Sequence, residues 1–139
     1  MLEGMAVFID TGIFVALRNA DDDFHDRSKE LMRRALKGEF GRTYTSDYVI
    51  DEALTTALVR TKKHALALDL GRYIMESPRI TKLRVNEDIF EKAWEKFKLF
   101  KDRPLSFTDC TSLALIEKSG IKQIMSFDSG FDGRVPRVC

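Results

Sequence analysis

Four carboxylates stand near the starts of helices or turns, two of them directly behind short apolar runs. Asp10 follows the unbroken apolar run Ala6-Val7-Phe8-Ile9, and Asp128 follows Ile124-Met125-Ser126-Phe127. Asp109 comes three residues after Ser106, at the head of a helical stretch. Glu52 lies about five residues into another helical stretch, behind Arg42-Thr43-Tyr44-Thr45. Oxygen-only ligands of this kind suit Mg²⁺ or Mn²⁺ rather than zinc. Such a cation lowers the pKa of a bound water and stabilises charge on a phosphoryl group. The chemistry indicated is phosphodiester hydrolysis by in-line attack of water. No Ser/His or Cys/His nucleophile system competes, because His25 and His64 fall in unrelated helices. Cys110 and Cys139 form no CxxC pair and no zinc spacing, and two free thiols fit a reducing compartment.

The elements that must position these acids alternate short apolar runs with longer amphipathic ones. Ala6–Ile9 reads as a buried parallel strand. A helix of about two turns is expected over Thr11–Arg18, then the polar turn Asn19-Ala20-Asp21-Asp22-Asp23. A second helix spans about His25 to Lys37, turning Leu31, Ala35 and Leu36 inward, with Gly38 and Gly41 around its end. Arg42–Thr45 is a short strand, and Ser46 or Asp47 caps the helix that runs to about Thr61. That helix is expected to bury Val49, Ile50, Ala53, Leu54, Ala57 and Leu58. A helix over about His64–Met75 ends before Pro78, and Ile80–Val85 is a strand. A helix over about Asp88–Phe100 is broken by Pro104, and the next opens near Ser106 and stops at Gly120. Ile124–Phe127 is a strand, and a last short one takes in Val135 and Val138. The order β-α-α-β-α-α-β-α-α-β-β predicts an α/β three-layer sandwich, a parallel sheet with helices on both faces.

On that map Asp10 and Asp128 lie at the carboxyl edge of the sheet, where open α/β sheets place their sites. Asp109, in the first turn of a helix leading back to a strand, shares that rim. Glu52 falls roughly 8 Å below it, within reach of a long side chain. Carboxylates gathered in one crevice repel one another, so either some hold protons or a cation neutralises them. Each acid also has an ordinary structural reading. Asp10 can cap a helix, Ser106-Phe107-Thr108-Asp109 is a capping-box sequence, and Asp128-Ser129-Gly130 is turn chemistry. Glu52 can be a partly exposed helix residue beside the equally acidic Asp51. The grouping of all four on one rim favours the chemical reading.

The 139 residues suit one domain, taken as 1–139, and 44% hydrophobic content supports a core. No apolar run approaches the roughly 18 residues of a membrane span. The opening Met1-Leu2-Glu3-Gly4-Met5 lacks the basic and apolar regions of a signal peptide, which makes the cytoplasm the expected compartment. With 23 Lys+Arg against 22 Asp+Glu, a net charge of +1 gives no global attraction for nucleic acid. Any such contact falls to local groups. Arg42 precedes the second strand, and Arg60, Lys62 and Lys63 cluster at a helix end, where they also answer the helix dipole. Arg18 is expected near the rim. Arg18, Arg42 and Arg60 are the candidate nucleic-acid contacts.

Four segments together resemble one family. Phe8-Ile9-Asp10-Thr11 is similar to the opening motif of PIN domains. The segment Thr45-Ser46-Asp47-Tyr48-Val49-Ile50-Asp51-Glu52 resembles the second motif and selects Glu52 over Asp51. Leu105-Ser106-Phe107-Thr108-Asp109-Cys110 resembles the third, and Ser126-Phe127-Asp128-Ser129-Gly130-Phe131 the fourth, with Ser126 where the family usually has Thr. The subgroup resembled is the toxin half of VapBC-type toxin–antitoxin pairs. The resemblance implies a five-stranded parallel sheet and Mg²⁺- or Mn²⁺-dependent RNA cleavage. It assigns metal-holding and catalytic roles to Asp10, Glu52, Asp109 and Asp128. Thr11, Ser46, Thr108, Ser126 and the extra acid Asp132 become supporting candidates. A homodimer and a small inhibitory antitoxin are implied as partners.

Two other function classes fit the sequence less well. Phosphoaspartyl hydrolases carry an Asp-x-Asp pair after the first strand, but position 12 here is Gly, and receiver-domain patterns fit no better. A module that binds RNA or a partner without cutting is disfavoured by four retained acids, since a charge cluster without chemistry costs stability.

Overall fold

The structure, a computed structural model, describes residues 4–102 and 105–139. Strands β1 (Ala6–Ile9), β2 (Arg42–Ser46), β3 (Ile80–Leu83), β4 (Ile124–Met125) and β5 (Arg137–Val138) form one parallel sheet in the order β3-β2-β1-β4-β5. The connecting helices come in pairs. They are α1 (Thr11–Arg18) and α2 (His25–Leu36), α3 (Asp47–Thr61) and α4 (His64–Glu76), and α5 (Glu87–Leu99) and α6 (Phe107–Ser119). The expected three-layer α/β sandwich is thus the observed fold. Pro104, expected to break α5, lies outside the described residues, and α5 ends before it.

All four residues of β1 are buried, which requires helices over both faces of the central strand. Phe8, Ile9, Ile13, Phe14, Leu31, Met32, Leu70, Ile74, Ile124 and Phe131 complete a continuous core. Burying one such side chain contributes roughly 1.5–3 kcal/mol. Leu58, expected inside, is 40% exposed, because α3 turns only Val49, Ala53 and Ala57 fully inward. Thr45 Oγ1 donates to the Ile9 carbonyl at 3.0 Å, a buried polar tie between β2 and β1 at the site end of the sheet. Gly41 holds φ +82°, and a Cβ there would lie 2.2 Å from the Met5 carbonyl oxygen. Only glycine lets the α2–β2 turn pass so close to the start of β1.

The chain lays β1, β2 and β3 down in one direction, then returns to place β4 on the other side of β1. The strand order reverses between β1 and β4, which opens a crevice at their carboxyl ends. Both edge strands are short, with Lys82 on β3 and Arg137 on β5. Lys82 Nζ donates to the Ser77 carbonyl at 2.8 Å, and Arg137 pairs with Asp132 at 2.8 Å.

Candidate active site

The crevice is a cleft of about 370 Å³ lined by Asp10, Glu52, Asp109 and Asp128 together with Thr56 and Arg60. Each acid arrives by a different route. Asp10 is the residue between β1 and α1, and its N–H donates to the Met125 carbonyl at 3.0 Å, so both central strands fix its backbone. Its side chain makes no capping hydrogen bond to α1, so helix capping does not account for it. Glu52 belongs to the face of α3 that continues through Thr56 and Arg60 at four-residue spacing, the interval at which helix residues share a face. Asp51 is exposed on another face and does not line the cleft. Thr56 was missed in the sequence, although its spacing from Glu52 marked it.

Asp109 carries both of its readings at once. Its Oδ2 accepts from the Ser106 N–H at 3.1 Å, and its own N–H donates to Ser106 Oγ at 3.0 Å, a complete capping box. The same carboxyl group is buried in the cleft. Asp128 likewise accepts the Gly130 N–H at 2.8 Å, as turn chemistry demands, while facing the cleft from the exposed side. Capping and site geometry are compatible because a carboxylate has two oxygens and about four acceptor positions.

Ser126 joins two of the acids. Fully buried at the end of β4, its hydroxyl donates to Asp10 Oδ2 at 2.7 Å and accepts the Asp128 N–H at 3.0 Å. The remaining Asp10 oxygen, Oδ1, and the Thr11 hydroxyl are buried with no hydrogen-bond partner among the described residues. Burial, then the neighbouring Asp109 and Glu52 charges, pushes the Asp10 pKa up to about 7, with the Ser126 hydrogen bond opposing the rise. Burial, then Glu52 and Asp128, pushes Asp109 up to about 6, against the Ser106 N–H. Acids raised in this way are short of positive charge. Among the described residues no group of three or more His, Cys, Asp or Glu is disposed to hold a metal as it stands. The donor set still fits a hard divalent cation, because its four acids offer oxygens alone, one of them buried without a partner among the described residues.

The supporting candidates divide. Thr11 and Ser126 belong to the cleft or touch its acids. Ser46 is the N-cap of α3, accepting the Val49 N–H at 3.1 Å, and so acts on Glu52 through the helix start. The carbonyl of Thr108 accepts from Thr111 and Ser112 within α6, and Thr108 does not line the cleft. Asp132 pairs with Arg137, whose Nη1 also donates to the Ser126 carbonyl at 3.1 Å.

Two of the three basic candidates lie elsewhere. Arg42 opens β2, and in a parallel sheet the first residue of a strand is at the edge opposite the acids. Arg18 closes α1, whose eight residues carry it roughly 12 Å from the rim. There it pairs with Asp69 at 2.8 Å and lies over the Tyr73 ring at 4.6 Å, beside a separate cavity of about 700 Å³. Arg60 lines the acidic cleft.

The PIN-domain family model matches residues 7–134. A VapC ribonuclease of Archaeoglobus fulgidus is 31% identical over 128 residues, 91% of this chain and 80% of the relative. The 23S rRNA-specific endonuclease VapC20 of Mycobacterium tuberculosis is 34% identical over 125 residues, covering 90% and 91% of the two chains. The crystal structure of that VapC20, titled a sarcin–ricin loop cleaving toxin, superposes with a TM-score of 0.79 over 90% of this chain and 92% of its own. VapBC2 of Rickettsia felis, crystallised with a promoter DNA fragment, shares the fold at a TM-score of 0.66 and 13% identity, covering 96% and 98% of the two chains.

Proposed function

The chain belongs to the PIN-domain family, and from that premise we propose that it is a VapC-type endoribonuclease whose acidic cleft hydrolyses RNA phosphodiester bonds with the help of Mg²⁺ or Mn²⁺. The observation that carries the reading is the convergence of Asp10, Glu52, Asp109 and Asp128 on one cleft at the strand-order reversal. The names of the two sequence relatives support the choice of RNA as substrate.

Asp10, Glu52, Asp109 and Asp128 are the residues that would hold the cation. The cation supplies Lewis acidity, lowering the pKa of the attacking water and offsetting charge on the phosphoryl oxygens. The protein's own groups do the rest. Ser126 fixes Asp10 Oδ2 and the Asp128 backbone at once, which leaves Oδ1 of Asp10 buried with no hydrogen-bond partner among the described residues. Glu52, on a longer stem than the aspartates, would reach the cation from α3. Arg60 answers a phosphate of the bound strand. Water attacks phosphorus in line and gives up a proton to solvent, while the bond to one ribose oxygen breaks and that oxygen leaves as a hydroxyl, protonated from solvent. The substrate class is single-stranded or loop RNA, whose unstacked nucleotides can be splayed out for recognition and cutting.

Two partners accompany this reading. One is a second copy of the chain, which sedimentation at micromolar concentration would reveal as a homodimer. The other is a small antitoxin that inhibits by inserting a basic side chain among the acids. The test of activity is direct. Purified protein cuts a pool of structured RNAs with Mg²⁺ or Mn²⁺ and stops in chelator, and Asp10→Asn cuts orders of magnitude more slowly with the fold intact. Cleavage that persists in chelator, or that only zinc supports, overturns the proposal.

A further inference from the structure

Phe24 is half exposed, at 50%, in the turn between α1 and α2. Its ring stacks on that of Phe127, with centroids 4.4 Å apart and planes 14° from parallel. Phe127 stands between Ser126 and Asp128 and is itself part of the cleft wall. Phe24 itself stands outside the cleft lining and reaches it through Phe127, whereas the other large exposed apolar side chains lie on α3, α4 and α5. An aromatic step therefore leads outward from the acids, ending in a ring that water half covers.

We propose that Phe24, backed by Phe127, is a stacking platform for an unpaired nucleobase of the RNA next to the bond that is cut. The inference rests on the ribonuclease reading and adds the part of the substrate that is held beside the reacting phosphate. Bases splayed out of a loop are commonly recognised by stacking on aromatic side chains. The platform is preorganised. The Phe24 N–H donates to Asp22 Oδ1 at 2.8 Å, and the Phe24 carbonyl accepts the Ser28 N–H at 2.8 Å. The Asp21 N–H is held in turn by Asn19 Oδ1 at 3.1 Å. A ring fixed in this way loses little freedom when a base settles on it. The adjoining Asp21, Asp22 and Asp23 repel phosphate, which leaves the base as the part of a nucleotide that suits the position. The backbone is left to Arg60 and the cation on the cleft side.

The test separates stacking from charge and from catalysis. In an Asp10→Asn background, which stops cleavage, the affinity for an RNA hairpin with an unpaired loop is measured with and without Phe24→Leu. Leucine keeps apolar bulk and gives up the flat ring. The expected loss on Phe24→Leu is roughly 5- to 150-fold in Kd. The dependence of affinity on salt stays unchanged, because no phosphate contact is removed. Phe24→Tyr keeps the affinity. The loss shrinks to nothing when the loop nucleotides are abasic. Equal affinity of the two proteins, an equal loss on base-bearing and abasic loops, or no binding of the hairpin by either protein overturns the proposal. Cleavage by the protein with Asp10 intact is scored separately, so a failure of the ribonuclease reading shows there, whatever Phe24 does.

Discussion

The raised pKa of Asp10 has a measurable consequence for stability. An aspartate that titrates at about 7 in the folded chain but near 3.8 when unfolded binds its proton more tightly in the native state. Between those values the native state holds more protons than the unfolded one, so stability falls as pH rises, by about 1.4 kcal/mol per pH unit. The decline begins near the unfolded value and levels off above the folded one. The full cost of ionised Asp10 is then about 4 kcal/mol. Asp10→Asn removes it. The amide can still accept from Ser126, but its NH₂ group takes the place of an unpartnered oxygen, which costs about 1–3 kcal/mol. In chelator the variant is therefore expected to be more stable than wild type by about 1–3 kcal/mol at pH 8, and equal or less stable near pH 4. Urea unfolding of both proteins across this range, always in chelator, measures the difference, and titrating groups away from the acidic cleft cancel in the comparison. Added Mn²⁺ at pH 8 is expected to stabilise wild type far more than the variant. A wild-type-to-variant difference that is the same at both ends of the pH range would falsify the argument, because Asp10 would then carry an ordinary pKa.

Three further outcomes are expected. Ser126→Ala removes a donor to Asp10 and an acceptor for the Asp128 N–H, so cleavage should fall about 10- to 100-fold, as loss of an outer-shell partner does, while Ser126→Thr retains activity. Asp109→Asn keeps an oxygen for the Ser106 N–H yet loses a charge, so thermal melts in chelator should hold or rise while the gain on adding Mn²⁺ largely disappears; a lower melt in chelator with the full Mn²⁺ gain would reduce Asp109 to a cap. Arg60→Ala should weaken RNA binding and reduce the salt slope by about one phosphate contact, whereas Arg42→Ala, on the opposite sheet edge, leaves the cleavage rate unchanged.

The fold was legible because each strand is a short apolar run between turn signals, and because a two-helix crossover has few ways to return to a parallel sheet. The acids after β1 and β4 inherit their positions from that topology, so Asp10 and Asp128 could be placed before strand order was known. Glu52 could not be separated from Asp51 by pattern alone. Which of two adjacent helix residues faces the cleft depends on how α3 rolls against the sheet, and the motif resemblance supplied that choice. The basic residues were harder still. Arg18 is close to Asp10 in sequence, but a helix leaving a sheet edge carries its last residue away from that edge. Arg42 precedes β2, and the start of a parallel strand lies at the sheet edge opposite the acids. Phe24 gave no signal, since stacking on Phe127 joins residues more than a hundred positions apart, across an interface that no local period encodes.

The two sheet edges bear on how copies of the molecule can meet. A bare edge strand offers unpaired backbone groups to any other chain, and natural sheets suppress this with short strands and charge. Here β3 has four residues and β5 two, and each carries a cation already engaged with its own chain, Lys82 with Ser77 and Arg137 with Asp132. Adding a foreign strand at either side would strip those partners for at most a few ladder bonds. The edges of this sheet therefore disfavour open-ended, strand-by-strand addition of further chains.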